Sequence, residues 1–222
     1  MANKESSKKE TAKAQPQNTM IKDAIALFII TIVAGVLLGA VYTITKDPIA
    51  AAEEKATNEA YAAVYEGAEF ESDKDIEKAV KEFAGQVKDG KLDDDVYSYT
   101  DVNLMEARTA LVDGTQVGYV LKISGKGYGG AVVIALGITN EGEVIGINIV
   151  DNSNETPGLG QNSSKEDWYS QYIGVKSADG TVQVTKSKES GKIDSITGAT
   201  ITSNAVTRAV NIALKFVDSQ AE

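Results

Sequence analysis

The sequence predicts an α+β protein in which a single N-terminal transmembrane helix precedes one domain built of an antiparallel sheet and packed helices. Three observations carry this. Ala24 to Ile44 is 21 residues without a charge. Residues 117–150 read as apolar runs broken by two turn signals, and the chain closes on a stretch with one apolar stripe at helical spacing. At 222 residues the chain suits one anchor and one domain of ordinary size, large enough to bury its own core.

Residues 1–19 are polar, Lys/Gln/Ser-rich and aperiodic, which predicts a disordered tail. As a helix rising about 1.5 Å per residue, Ala24 to Ile44 spans about 30 Å, the thickness of a hydrocarbon core. A secretory signal peptide is the alternative. Its apolar core runs only about 7–15 residues, however, and no small-residue cleavage site clearly ends this run. Five lysines against Glu5, Glu10 and Asp23 give residues 1–23 a charge of +2, which leaves −12 on the remainder of a chain whose formal net charge is −10. The positive-inside rule then puts residues 1–23 in the cytoplasm as a tail and the domain outside. Gly35 and Gly39 form a small-xxx-small pair that lets another helix approach, or are incidental glycines in a lone anchor.

From Pro48 to Tyr65 the pattern is Ala-rich with scattered charges, and Pro48 fits the first turn of a new helix leaving the membrane. A second, charged helix is expected over about Asp73 to Val87, on the surface. Together these make residues 45–100 a helical membrane-proximal region, followed by a ligand-binding domain over 101–222. In that domain Val117, Tyr119, Leu121 and Ile123 alternate with Gly118, Lys122 and Ser124 after an Asp113-Gly114 turn. Ala131 to Ile138 and Val144 to Val150 then flank Asn140 to Glu143 as a second hairpin. Gly127-Tyr128-Gly129-Gly130 joins the first and second of these strands, either as a flexible turn or as a place where backbone nears a ligand.

Glu155-Thr156-Pro157-Gly158-Leu159-Gly160 is a surface turn by composition, but Pro157 stiffens it while Gly158 and Gly160 allow N–H groups to face a ligand. Lys165 to Ile173 is expected to be a short helix, with Trp168, Tyr169 and Tyr172 facing the core or a ligand. The last helix, Ser203 to Asp218, places Val206, Val210, Ala213 and Val217 on one stripe that docks on the sheet. Immediately before it, Asp194 to Ser203 gathers hydroxyls on Ser195, Thr197, Thr200, Thr202 and Ser203 around the nearly side-chain-free Gly198 and Ala199. Such a stretch serves as an ordinary N-cap after a glycine turn. It also suits an anion, because hydroxyls and orphan N–H groups converge at the positive end of a helix.

The acidic balance argues against nucleic acid, since no basic face neutralises phosphates. With no Cys and no His, iron–sulfur clusters, haem, the common zinc sites and the usual hydrolase triads lose their ligands or bases. Any redox work then falls to an organic cofactor.

The spacing Asp194-x-x-Thr197-Gly198-Ala199-Thr200 resembles the flavinylation motif of the FMN-binding domain shared by the G subunit of Rnf electron-transport complexes and the C subunit of the sodium-pumping NADH:quinone reductase. Glu155 to Gly160 resembles the family's other signature, near the isoalloxazine, and the Gly127 to Gly130 run, with Tyr128 and Gly129, is similar to it as well. The resemblance implies FMN held by a phosphoester on Thr200, with Asp194, Thr197, Gly198, Ala199, Thr202 and Ser203 around the phosphate. It implies Tyr128, Gly129, Glu155, Thr156, Pro157, Gly158, Leu159 and Gly160 near the ring, with N–H groups of Gly158 or Gly160 bonding ring oxygens. It further implies an electron carrier without substrate turnover of its own, in an ion-translocating ferredoxin:NAD oxidoreductase of a prokaryotic plasma membrane. Its partners would be the other members of the Rnf complex, the lipid bilayer and a flavin transferase that moves FMN from FAD to the hydroxyl. The quinone-reductase protein shares these motifs but usually has a longer chain. An anchored extracytoplasmic binding module without flavin is the reading of another class.

Overall fold

A computed structural model describes residues 17–187, 189 and 191–221. The polar tail up to residue 16 lies outside the described residues. The chain divides into two compact units, one ending at Ala52 and one running from Glu53.

In the first unit, helix α1 begins; it spans Gln17–Val64 and is long and apolar enough to cross a membrane, its most apolar 18-residue window having mean hydropathy 2.8. Its Ile, Leu and Val side chains between residues 21 and 44 are exposed. Its threonines satisfy themselves: the Thr31, Thr43 and Thr45 hydroxyls each donate to the carbonyl four residues back, at 2.8 Å. That back-bonding is what an apolar solvent demands of a hydroxyl. The sequence suggests a new helix starting at Pro48, whereas α1 runs on through that residue. Pro48 has no N–H to give the carbonyl four residues back, but past Ile49 come Ala50, Ala51 and Ala52, the strongest helix formers, and the helical pattern resumes.

The second unit is a five-stranded antiparallel sheet in the order β1-β2-β3-β4-β5, comprising Glu69–Glu71, Val102–Val112, Thr115–Lys126, Ala131–Thr139 and Val144–Asp151. Every link between the last four strands is a hairpin. Asp113 and Gly114 both take positive φ, 51° and 74°, the turn whose twist matches paired strands. Strict alternation fails in β3, where Val120, Leu121 and Ile123 are all buried. The reason is that both faces of the sheet are covered. On one face lie α2 (Lys74–Lys88) and the last helix, α4 (Thr200–Gln220), with Phe83 meeting Phe216 edge-on at 5.3 Å. On the other lies the end of α1, where Tyr61, Val64 and Tyr65 pack against Ala110, Val120 and Ala135. A Cβ on Gly137 or Gly146 would fall 2.4 or 2.2 Å from the Val64 carbonyl oxygen, so glycine at both positions is what lets α1 settle there. Helix α2, capped by the Asp73 carboxylate, buries Ile76, Phe83 and Val87 and is a surface helix with one face in the core.

Helix α4 is enclosed well beyond the expected stripe. Val206, Val210, Ala213 and Val217 are buried, and so are Ala205, Ala209, Ile212 and Phe216. The chain between β5 and α4 wraps the far side: Tyr172 shares a 2.7 Å hydrogen bond with Thr207, and the Asn211 amide brackets the backbone of Val182 at 2.9 and 3.0 Å. This wrap holds the short helix α3 (Glu166–Tyr169) and a parallel pair of two-residue strands, β6 (Val184–Thr185) and β7 (Ile193–Asp194). Trp168 and Tyr172 are core residues within it.

Asp94 fastens the segment before β2 to this wrap. Its Oδ1 accepts from the N–H groups of Val96 and Tyr97, and its Oδ2 from the Tyr99 hydroxyl at 2.6 Å and the Thr181 hydroxyl at 2.9 Å. Burial alone would raise its pKa, but these hydrogen bonds, led by that from Tyr99, outweigh it and hold the carboxyl well below the usual range. A depressed folded value means stabilisation present in full above the unfolded pKa of about 4 and lost as pH falls below it. Asp94→Asn is therefore expected to cost about 1–3 kcal/mol in urea unfolding at neutral pH. The gap to the parent should narrow below about pH 4; a gap that stays constant with pH would contradict the assignment.

Candidate functional site

Three loops meet at the amino end of α4, and one buried carboxylate joins the first two to the helix. The first follows β3 and closes on itself through Gly127 N–H to Gly130 carbonyl at 2.7 Å. The second is Glu155 to Gly160, leading into a 3-10 turn over Gly160–Ser164. The third is Ser195 to Ala199, leading into the helix. Glu155 is 3% exposed. Its Oε1 accepts from the Gly129 N–H at 2.8 Å, and its Oε2 from the Thr202 hydroxyl at 2.5 Å. Both oxygens accept, which is the pattern of an ionised carboxylate.

The glycines make room for that arrangement. A Cβ on Gly127 would lie 2.4 Å from Glu155 Oε1, one on Gly160 would lie 2.2 Å from Oε2, and one on Gly129 would lie 1.9 Å from the Asn154 carbonyl oxygen. The Gly127 to Gly130 run is thus a packed clasp around Glu155 and Asn154 rather than a flexible turn.

Helix α4 starts at Thr200, three residues before the position suggested by the sequence, and its cap is Ala199, with no side-chain cap bond. The expected hydroxyl capping does not occur, because the cap position falls on Ala199, which has no hydroxyl, and the hydroxyls of Thr202 and Ser203 are used elsewhere. Ser203 Oγ accepts from the Ile196 N–H and donates to the Ala199 carbonyl, each at 3.0 Å. Thr202 serves Glu155. The first N–H groups of α4 therefore have neither an intrahelical acceptor nor a cap, and they lend the helix end its positive character.

Those N–H groups border a cavity of about 850 Å³, within the range of small-molecule sites. Of the residues singled out from the sequence, Thr197, Gly198, Ala199, Thr200, Thr202, Tyr128, Glu155, Thr156, Leu159 and Gly160 line it. Five do not. Ser203 is buried behind the wall, Gly129 supports Glu155, and Pro157 and Gly158 stand off the cavity in their turn. Gly158 takes φ +76°, its carbonyl accepting from the Asn162 amide at 2.7 Å. Asp194 also stands back. It acts through its backbone, donating to Gln171 Oε1 and accepting from Trp168 Nε1 at 2.7 Å, which anchors the loop that follows.

Lys186, Ser195 and Ile201 line the cavity as well; the Ser195 hydroxyl belongs to the cluster the sequence points to, whereas Lys186 and Ile201 were not foreseen. The β6–β7 pairing delivers Lys186, since Ser195 N–H bonds the Thr185 carbonyl at 2.8 Å and brings the two segments abreast. The alternation of Val182 and Val184 was the available signal, too short to stand out. Thr200 is half-buried, and its hydroxyl has no hydrogen-bond partner among the described residues. The rim is apolar: Tyr128, Leu159 and Ile201 are 73%, 41% and 51% exposed. A cationic lysine, uncapped N–H groups and free hydroxyls at the floor, with an aromatic and two aliphatics at the rim, suit a phosphorylated ligand carrying a broad, mostly apolar ring system.

Comparison with known proteins gives the same location. The FMN-binding domain family matches residues 127–215, and every residue lining the cavity falls inside that range. The RnfG N-terminal region matches residues 11–64. The G subunit of the proton-translocating ferredoxin:NAD(+) oxidoreductase complex of Clostridium ljungdahlii is 31% identical over 207 residues, covering 93% of this chain and 96% of that one. The Na(+)-translocating counterpart from Acetobacterium woodii is 32% identical, covering 88% and 90%. Among solved structures, the C subunit of the Na(+)-translocating NADH-quinone reductase from Parabacteroides distasonis aligns with TM-score 0.41 and 19% identity, covering 65% of this chain and 94% of that one.

The two glycines of the second loop are expected to respond differently to substitution. Gly160→Ala drives a methyl into Glu155 and Thr202 and should lower both the thermal midpoint and the amount of bound flavin. Gly158→Ala meets open space and pays only the left-handed backbone cost, about 1–2 kcal/mol, and should keep its flavin. Differential scanning calorimetry with flavin absorbance on both variants is the check; equal flavin loss in the two would contradict the placement of Gly160.

Proposed function

We propose, because the chain belongs to the G-subunit family of ion-translocating ferredoxin:NAD(+) oxidoreductase complexes, that it is the membrane-anchored FMN carrier of such a complex and relays electrons between its other members. The observation that carries this is the coincidence of the FMN-binding match with the cavity at the start of α4. FMN supplies reversible electron uptake that no side chain of a chain without Cys or His offers. The protein's part is to hold the phosphate at the helix end with Lys186 close by and to keep the ring against Tyr128, Leu159 and Ile201. This chain turns over no substrate of its own.

The attachment proposed is a phosphoester on Thr200. Support comes from the position of its hydroxyl, uncommitted at the first residue of α4, while Thr202 and Ser203 are buried and engaged. The donor is a flavin adenine dinucleotide and the catalyst a flavin transferase. The threonine oxygen forms a bond to the FMN phosphorus, the bridging P–O bond of the pyrophosphate breaks, and AMP leaves with that electron pair. The hydroxyl proton passes to solvent or to the leaving phosphate, with no change of oxidation state.

Residues 24–44 serve as the anchor, 45–100 as the membrane-proximal region and 101–222 as the flavin domain, with the N-terminus in the cytoplasm. The lysines preceding the apolar run support that sidedness.

Two outcomes test these assignments. Thr200→Ala is expected to abolish in-gel flavin fluorescence of the denatured protein, whereas Thr200→Ser, which keeps a hydroxyl, should retain it; persistent fluorescence in the alanine variant would sink the phosphoester at Thr200. Protease added to spheroplasts should remove the domain, and full protection would reverse the topology.

A further inference from the structure

Three hydroxyls stand in the first turn of α4, yet flavin attachment uses one. Ser203 is removed from contention by its two hydrogen bonds behind the wall. Thr202 is different, because it borders the cavity. A hydroxyl hydrogen-bonded to a carboxylate is, by chemistry alone, activated for attack on phosphorus. By that criterion Thr202, and not Thr200, would be the better nucleophile.

We propose that Glu155 is the selecting residue, which confines flavin attachment to Thr200 by holding the Thr202 hydroxyl away from the cavity and barring a phosphate from it by charge. Two features of the geometry support this. The Thr202 side chain is fully buried, and the bond to Oε2 fixes its rotamer toward Glu155. A phosphodiester built on that oxygen would place a second negative charge directly against the carboxylate, inside a site where water screens little. Lys186 and the helix N–H groups favour an anion over the cavity, but the carboxylate disfavours one behind it. Thr200, with no carboxylate at its hydroxyl, meets only the favourable side. Glu155 acts here as a positioning residue through Thr202; it takes no part in the bond-making at Thr200. The proposal rests on covalent attachment of FMN, and its test separates the two.

The test uses the full chain, produced together with a flavin transferase and FAD. Trypsin releases Ile193 to Arg208 as one peptide holding every candidate hydroxyl, and fragmentation in a mass spectrometer assigns the modified oxygen. Thr200→Ala alone should give no labelled peptide. Thr200→Ala with Glu155→Gln keeps the shape and removes the charge, and it should carry FMN on Thr202 at a level at least about tenfold above Thr200→Ala alone. Glu155→Gln by itself should divide the label between Thr200 and Thr202, and it decides the matter should the double variant fail to fold by circular dichroism. A folded double variant without label, or a Glu155→Gln protein labelled on Thr200 alone, overturns the selecting role. Absence of label from the parent peptide would instead overturn covalent attachment itself.

Discussion

The site depends on a buried carboxylate with two donors. Removing an ionised group from water costs several kcal/mol after relaxation, and each charge-assisted hydrogen bond returns about 1.5–3 kcal/mol. Two such bonds at Glu155 come close to offsetting the burial without a large surplus. The contact therefore contributes definition more than stability: it ties the loop after β3, the Glu155 to Gly160 turn and the first turn of α4 to common atoms. The glycines at 127, 129 and 160 follow from it, since any side chain there would collide with Glu155 or its neighbour.

The frame behind this contact is rigid because α4 has no solvent-facing side over most of its length. The sheet supports it from one direction and the Tyr172–Thr207 and Val182–Asn211 contacts close it from the other. Gly125, whose Cβ would lie 2.2 Å from the Ala205 carbonyl oxygen, lets the helix lie directly on β3. A cofactor attached at the first residue of such a helix inherits its immobility, which is what a relay needs if the distance to the next redox centre is to stay constant. On the sheet's opposite face Gly137 and Gly146 let the end of α1 settle, so the segment that follows the anchor is part of the domain's own packing.

Much of this was legible in the chain. The apolar run, the Asp113-Gly114 and Asn140 to Glu143 turns and the stripe on α4 are local signals, and local signals survive folding. The letters around Thr200 and Glu155 led to the cavity wall itself. What escaped was non-local. No pattern in Gly127 to Gly130 says that those glycines make way for a glutamate 28 residues beyond Gly127. Nor does anything near Thr202 say that its hydroxyl is spent on that same glutamate rather than on a cap. Lys186 was missed because a two-residue strand leaves almost no periodicity, and α1 continues through Pro48, which removes one helical hydrogen bond without ending the helix. Gly158 and Gly160 drew equal notice by sequence, yet only Gly160 carries the contact, a distinction set by which glycine faces Glu155.

The most direct measurement of the central claim is the position of the flavin phosphorus in an experimental density map of the full-length, flavin-loaded chain. The phosphorus is expected on Thr200 Oγ1, with phosphate oxygens about 3 Å from the first N–H groups of α4 and the Glu155–Thr202 bond intact behind them. Phosphorus on Ser195 or Thr197, or a flavin seated away from the start of α4, would contradict it.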